Sequence, residues 1–234
     1  MSSKAASAHE IAATPAPTGP LTGPGRLLIA GILAWFAGEL LYALAMNDRF
    51  TLLARYDNPQ FEKPQVDDMA LLADHFRTAF LLVLVATIVA FVAGWVIFVT
   101  KALSASKATG GPSSGLAAVS IFIPVLNLFT PYSALKAIWA STHPADTSGQ
   151  APPAIALWQL AWVLANLLGI ASILFSLAIS AGGKSLYELH TFAHKDLFVA
   201  SLGLWMGSAA MAGVSAVLLI HIVQHVMKAD ARAA

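Results

Sequence analysis

An all-α integral membrane helical bundle is the fold class this sequence predicts, and three observations predict it. Hydrophobic residues make up 58% of the 234 and charged residues only 11%, with a mean hydropathy of +0.72. Soluble domains carry about 25% charged residues. Four apolar runs are each long enough to cross, as helices, the roughly 30 Å of a bilayer's hydrocarbon. A fifth apolar segment is cut by prolines and predicts a bent interfacial or re-entrant piece rather than a span. This composition argues against a soluble enzyme, and the content of Leu, Ile, Val and Phe argues against a disordered chain. A net charge of +1 supplies no field that would recruit nucleic acid. The absence of cysteine excludes disulfides, Fe–S clusters, thiolate zinc sites and a Cys nucleophile.

Residues 1–26 hold no apolar run that could serve as a signal-peptide core. Pro15-Ala-Pro17, Gly19-Pro20 and Gly23-Pro24-Gly25 oppose helix formation there. They predict a flexible tail, either a plain solvated leader or a partner-docking peptide. The transmembrane domain is then 27–228, followed by a short tail, 229–234. Its spans are 27–46, interrupted by the single charge of Glu39, then 78–100, 154–181 and 197–227.

The bent segment is 116–141. Pro124 and Pro131 each remove a backbone donor and break a helix. Thr130 fits an N-cap with Pro131 at the first helical position. The helix after it carries Leu135, Ile138 and Trp139 on one side, with Lys136 able to snorkel from the edge. Irregular backbone at membrane depth is tolerated only under protein or water.

Positive charge decides between four and five spans. With four, Lys4, Arg26, Lys101, Lys107, Lys136, Lys228 and Arg232 share one side, seven basic residues against six on the other. The positive-inside rule then places both termini in the cytoplasm, with the bacterial inner (plasma) membrane as the expected location. In the outer loops, Val66, Met69, Leu72 and Phe76 share one helical face, and Ser185-Leu-Tyr-Glu188 has capping-box spacing. Spans two and four are therefore expected to start outside the bilayer and run inward as long helices, giving two similar hairpins.

Polar and small residues mark the faces that should turn inward. The third span carries Gln159, Trp162, Asn166, Gly169, Ser172 or Ile173, Ser176 and Ser180 at steps of three or four. The first carries Gly31, Trp35, Gly38 or Glu39, Tyr42 and Met46. The fourth carries Gly203-xxx-Gly207, a close-approach spacing, with Ser208 and Ser215. Glu39 is the sharpest single residue. An ionised carboxylate at that depth costs about 2.5 kcal/mol or more. It should be protonated or paired, with Asn166 or Gln159 as the expected partner, or else serve as a proton or cation site. Histidines form two i, i+4 pairs, His190/His194 and His221/His225. His75 with the first pair makes a weak metal candidate. The flanking glutamate of zinc proteases is missing, and no nucleophile elbow, P-loop or dinucleotide fingerprint occurs.

Trp95 with the basic positions Lys101 and Lys107, then Ile123-Pro124-Val125-Leu126-Asn127-Leu128-Phe129-Thr130-Pro131-Tyr132, Leu135, Ile138-Trp139, Leu157-Trp158 and Trp162 resemble a bacterial membrane family, domain of unknown function 4328. The family's tryptophan-rich start to the third span is reduced here to Trp158 and Trp162, and its arginines after the second span are lysines. The resemblance implies a multi-span domain without catalytic appearance and supplies no activity. It marks Pro124, Asn127, Pro131 and Tyr132 as the shared element, either a structural elbow or a cleft for a ligand or partner. The expected function is a non-enzymatic partner-binding or accessory membrane subunit without a cofactor. It would contact the lipid bilayer and a membrane-protein partner or a second copy. The alternatives are a small proton- or cation-coupled transporter or sensor using Glu39, and a protein with His-bound metal or haem.

Overall fold

A computed structural model describes residues 19–56, 63–105, 112–143, 152–181 and 192–233. Among them the chain forms α1 (Thr22–Tyr56), α2 (Lys63–Ala105), α3 (Ser114–Val119), a 3-10 turn (Ser120–Phe122), α4 (Pro124–Asn127), α5 (Thr130–Thr142), α6 (Pro153–Ala181) and α7 (Phe192–Ala233). Four stretches are long and apolar enough to cross a membrane: Thr22–Ala45, His75–Ala105, Pro153–Phe175 and Val199–Ala233. The protein is an all-α membrane bundle.

The first helix begins earlier than the prolines of the leader suggest. Gly23, Pro24 and Gly25 lie in the first turn of α1. Proline is tolerated there because the first helical N–H groups lack intrahelical acceptors in any case. The expected tail at 1–26 is thus shortened, and residues 1–18 lie outside the described part. α2 is one helix of 43 residues, about 65 Å at 1.5 Å per residue. α7 runs for 42 residues from Phe192, and the Ser185–Glu188 capping box lies outside the described residues. The Met69, Leu72 and Phe76 face of α2 is exposed, and Phe76 stacks on Phe80 at 6.3 Å.

α1 packs antiparallel on α2, α6 antiparallel on α7, and α1 against α7 joins the two hairpins. The helix backbones approach closely in the first hairpin. A Cβ on Gly31 would stand 2.9 Å from the Ala90 carbonyl oxygen, and one on Gly94 would stand 2.9 Å from the Leu28 Cα. Gly203-xxx-Gly207 does not play this part. Nothing lies within 4 Å of a Cβ at Gly203, and Gly207 meets only the Leu168 side chain. Hydroxyls hold the second hairpin instead. Ser172 Oγ donates to the Ser201 carbonyl at 2.7 Å, Ser201 Oγ returns the bond to the Ser172 carbonyl at 3.0 Å, and Ser208 Oγ donates to the Ala165 carbonyl at 2.8 Å. Ser172 rather than Ile173 is therefore the inward residue at that turn; Ile173 is exposed. Interhelical bonds of this kind contribute about 0.6 kcal/mol on average in membranes. Ser172→Ala should accordingly lower the denaturation midpoint only slightly, and Ser172→Leu, which adds bulk to a buried contact, should lower it much further.

The broken segment covers the end of the bundle where α1 starts and α7 finishes. Ser113 Oγ accepts from Leu116 N–H to cap α3, and the α3 carbonyl of Ala117 accepts from Trp95 Nε1 at 3.4 Å. Ile123 is extended (φ −102°, ψ 109°), as expected of a residue preceding proline. α5 then starts one residue earlier than the Thr130 cap would place it. Phe129 is the N-cap, without a side-chain bond, and Thr130 is already helical, a one-residue difference at a helix end. Pro131, Leu135 and Ile138 are buried, and Lys136 is exposed. At this same end, Leu21 N–H donates to the Asp230 carboxylate at 2.8 Å, and Gly25 packs on Met227.

Candidate functional site: an acid-bearing cavity between α2 and α6

Trp35, Glu39 and Tyr42 fall on one face of α1 because their spacings are four and three. That face turns inward. Trp35 stacks on Phe91 of α2 at 5.4 Å and meets Trp162 of α6 edge-on at 5.5 Å, while Phe91 and Trp162 are also 5.5 Å apart. Two helical turns on, Tyr42 meets Trp205 of α7 edge-on at 4.7 Å. Glu39 sits between the two aromatic groups and is only 8% exposed. Trp35 Nε1–H donates to its carboxyl group. The other oxygen, Oε2, is buried with no hydrogen-bond partner among the described residues.

These groups line a cavity of about 440 Å³. Its back is α1 and α7, with Glu39, Trp35, Trp205 and Ser208. Its sides are α2 and α6, and its floor is Ile121 and Asn127 of the broken segment. Toward the outside its lining is Leu81, Val85 and Ile88 of α2 and Ile170 and Ile173 of α6, all exposed. α2 and α6 approach at the floor, where Trp95 stacks on Trp158 at 5.9 Å. Because its α2 and α6 lining residues Leu81, Val85, Ile88, Ile170 and Ile173 are exposed, the cavity opens sideways onto the apolar outer face of the bundle. Glu39 lies six residues before Ala45, about 9 Å along the helix from that end of the apolar stretch.

The floor is fixed by α6. A broken helix frees carbonyls, and buried carbonyls need donors. Gln159 Nε2 donates to the Leu128 carbonyl at 2.7 Å and the Asn127 carbonyl at 3.3 Å. Trp162 Nε1 donates to Asn127 Oδ1 at 2.9 Å. Asn166 Nδ2 donates back to the Trp162 carbonyl at 2.8 Å. The expected pairing of Glu39 with Gln159 or Asn166 is therefore not formed. Gln159 is drawn to the bend, Asn166 is satisfied on its own helix, and the indole of Trp35 takes the acid.

The polar candidates meet one of the bent-segment candidates, Asn127, in one site. Glu39, Asn127 and Asn166 line the cavity, and Gln159 holds its floor. Pro131 and Tyr132 pack beneath it in the core and do not line it, and the side chain of Pro124 lies outside the described residues. Trp205 escaped the sequence reading. Its Nε1, like Glu39 Oε2, is buried without a partner among the described residues, and the stepwise face of α7 leading to Ser208 was the available signal.

His75 is exposed on α2, His190 lies outside the described residues, and so does the side chain of His194. Among the described residues no three His, Asp or Glu side chains are grouped to hold a metal ion. His221 and His225 lie 4.5 Å apart at the opposite end, beside the stacked pair of Trp139 and His143.

No curated protein and no solved structure matches this chain. A family profile described as "Domain of unknown function (DUF4328)" matches residues 60–227. That stretch supplies the α2, α6 and α7 walls of the cavity and its bent floor, while α1 with Trp35 and Glu39 precedes it. With more than two thirds of its length matched, the chain belongs to the DUF4328 family.

Proposed function

We propose that the protein is a non-enzymatic, multi-pass binding subunit of the bacterial inner membrane, with both termini cytoplasmic, and that it takes a ligand or partner group through the side of the bundle between α2 and α6. The observation that carries this reading is the lateral opening. Exposed Leu81, Val85 and Ile173 lead inward to a buried acid with an unpartnered oxygen. Pockets with apolar walls and a few convergent polar groups are the usual form of binding sites. The polar groups at the back are a carboxyl, amides, a hydroxyl and indoles, suited to holding and orienting a guest. The thin excess of Lys and Arg on the side of the termini supports the orientation.

The test is a photoreactive residue placed in cell membranes at Leu81 or Ile173, and at Val217 on the exposed face of α7 as a control. A discrete adduct formed at Leu81 and Ile173 but not at Val217 is the expected result. Identical, purely lipid adducts at all three positions would remove the cleft as a binding element.

A further inference from the structure

We infer that the guest of this cavity is a lipophilic organic ammonium ion, held by Glu39 and the surrounding indoles after entering sideways from the bilayer. The inference rests on the cleft being a binding site and names the chemistry of what binds.

Charge complementarity comes first. Glu39 Oε2 is buried, and neither form of the carboxyl is completed by the described residues. A protonated Oε2 would have no acceptor for its hydrogen. An ionised one would have no cation, and a lone charge at this depth is costly. An N⁺–H donor satisfies the ionised form with a charge-assisted hydrogen bond.

The second observation is independent of the acid. Trp35 and Trp162 on one side and Trp205 on the other place indole rings around Glu39, all lining the same cavity. An indole face open to the cavity attracts a cation, repels an anion and is indifferent to a simple alkane. Trp is the strongest of the aromatic residues in this respect, and desolvation strengthens the contact. A hydrated metal ion fits poorly, because such ions want several oxygen ligands and the lining offers few beyond Glu39 and the two Asn side chains.

The route fixes the rest of the molecule. Leu81, Val85, Ile88 and Ile173 around the mouth favour a guest with an apolar body that partitions into lipid. A small aliphatic or cage amine fits within about 440 Å³. The same chemistry is found in a free amphipathic amine and in the ammonium headgroup of an aminolipid.

The experiment uses the full-length protein in nanodiscs of phosphatidylglycerol, which carries no cationic group. The probe is adamantan-1-amine, with adamantan-1-ol as its uncharged isostere, read by tryptophan fluorescence. The amine is expected to give a saturable change, and the alcohol to bind at least tenfold more weakly. Glu39→Gln should cost the amine at least tenfold and leave the alcohol unaffected. Ile173→Trp narrows the mouth from an exposed position, so it leaves folding intact and should weaken the amine even if Glu39→Gln fails to assemble. Adding phosphatidylethanolamine separates the sources. Competition with the amine identifies a lipid headgroup as the guest, and its absence identifies a free amine; both agree with the inference. Equal binding of amine and alcohol, or an amine affinity unchanged in both variants, overturns it. If that happens while the Leu81 and Ile173 adducts persist, only the ammonium assignment fails. If the adducts are missing too, the cleft itself is not a binding site.

Discussion

Gly31→Leu is expected to yield no stably folded bundle. A Cβ at this position would stand 2.9 Å from both the Ala90 carbonyl oxygen and the Phe91 Cα, which are backbone atoms of a facing helix and cannot swing aside. Overpacked cores usually lose about 1–3 kcal/mol when neighbouring side chains can rearrange. Here the whole of α1 must move away from α2, and the reciprocal contact of Gly94 on Leu28 is lost with it. Without a strong hydrophobic drive between helices in lipid, close backbone packing is a main source of association. Gly31→Ala should therefore lose roughly 2 kcal/mol, and Gly31→Leu should run as aggregate on size exclusion in mild detergent. Gly203→Leu is the matched control. With nothing within 4 Å, it should stay within about 0.5 kcal/mol of the parent. A Gly31→Leu protein that unfolds at the parent's midpoint would show that these helices do not meet as described.

The second large effect is expected at the floor. Gln159→Leu keeps the volume of a buried residue and removes the donor shared by the Asn127 and Leu128 carbonyls. An unpaired buried acceptor costs about 1–3 kcal/mol, and two carbonyls are affected. The loss should appear as a lower unfolding midpoint and as faster proteolysis within 116–141. A double-mutant cycle separates the two tethers of the bend. Trp162→Phe and Asn127→Leu break the same bond, Nε1–H to Oδ1, and should be strongly non-additive. Gln159→Leu and Asn127→Leu should be closer to additive, because Gln159 holds backbone rather than the Asn127 side chain. Full additivity of the first pair would mean that the Trp162–Asn127 bond is absent in the membrane.

Much of this architecture is legible in the chain. Runs of hydrophobicity identify the four long helices, and the spacing of Gln159, Trp162 and Asn166 identifies the inward face of α6, because lipid offers amides no partner. The Pro124–Pro131 interval announces the break. The partners are harder to read. The Gln159 amide could donate to the Glu39 carboxyl as well as to a main-chain carbonyl, yet the bend claims it, since freed carbonyls carry no sequence signature. Gly203-xxx-Gly207 has the spacing of a helix contact, but Gly203 faces outward and Gly207 meets only the Leu168 side chain, whereas the close approach is made by Gly31 and Gly94, neither of which has a glycine four residues away. Rotation about the helix axis decides between these cases, and a single helix does not encode it. The leader misled for a related reason. Pro24 argues against a helix only in an interior turn, and Thr22–Gly25 is a first turn.

The bond from Leu21 N–H to Asp230 joins positions separated by 209 residues. During biosynthesis the α1–α2 hairpin can pair through Gly31 and Gly94 before α7 exists, yet the Leu21 N–H has no acceptor until Asp230 has been made. Completion of the bundle is therefore timed by its last helix. A chain stalled before α7 would leave Phe36 without Gly213 and the Glu39 cavity without its Trp205 and Ser208 wall.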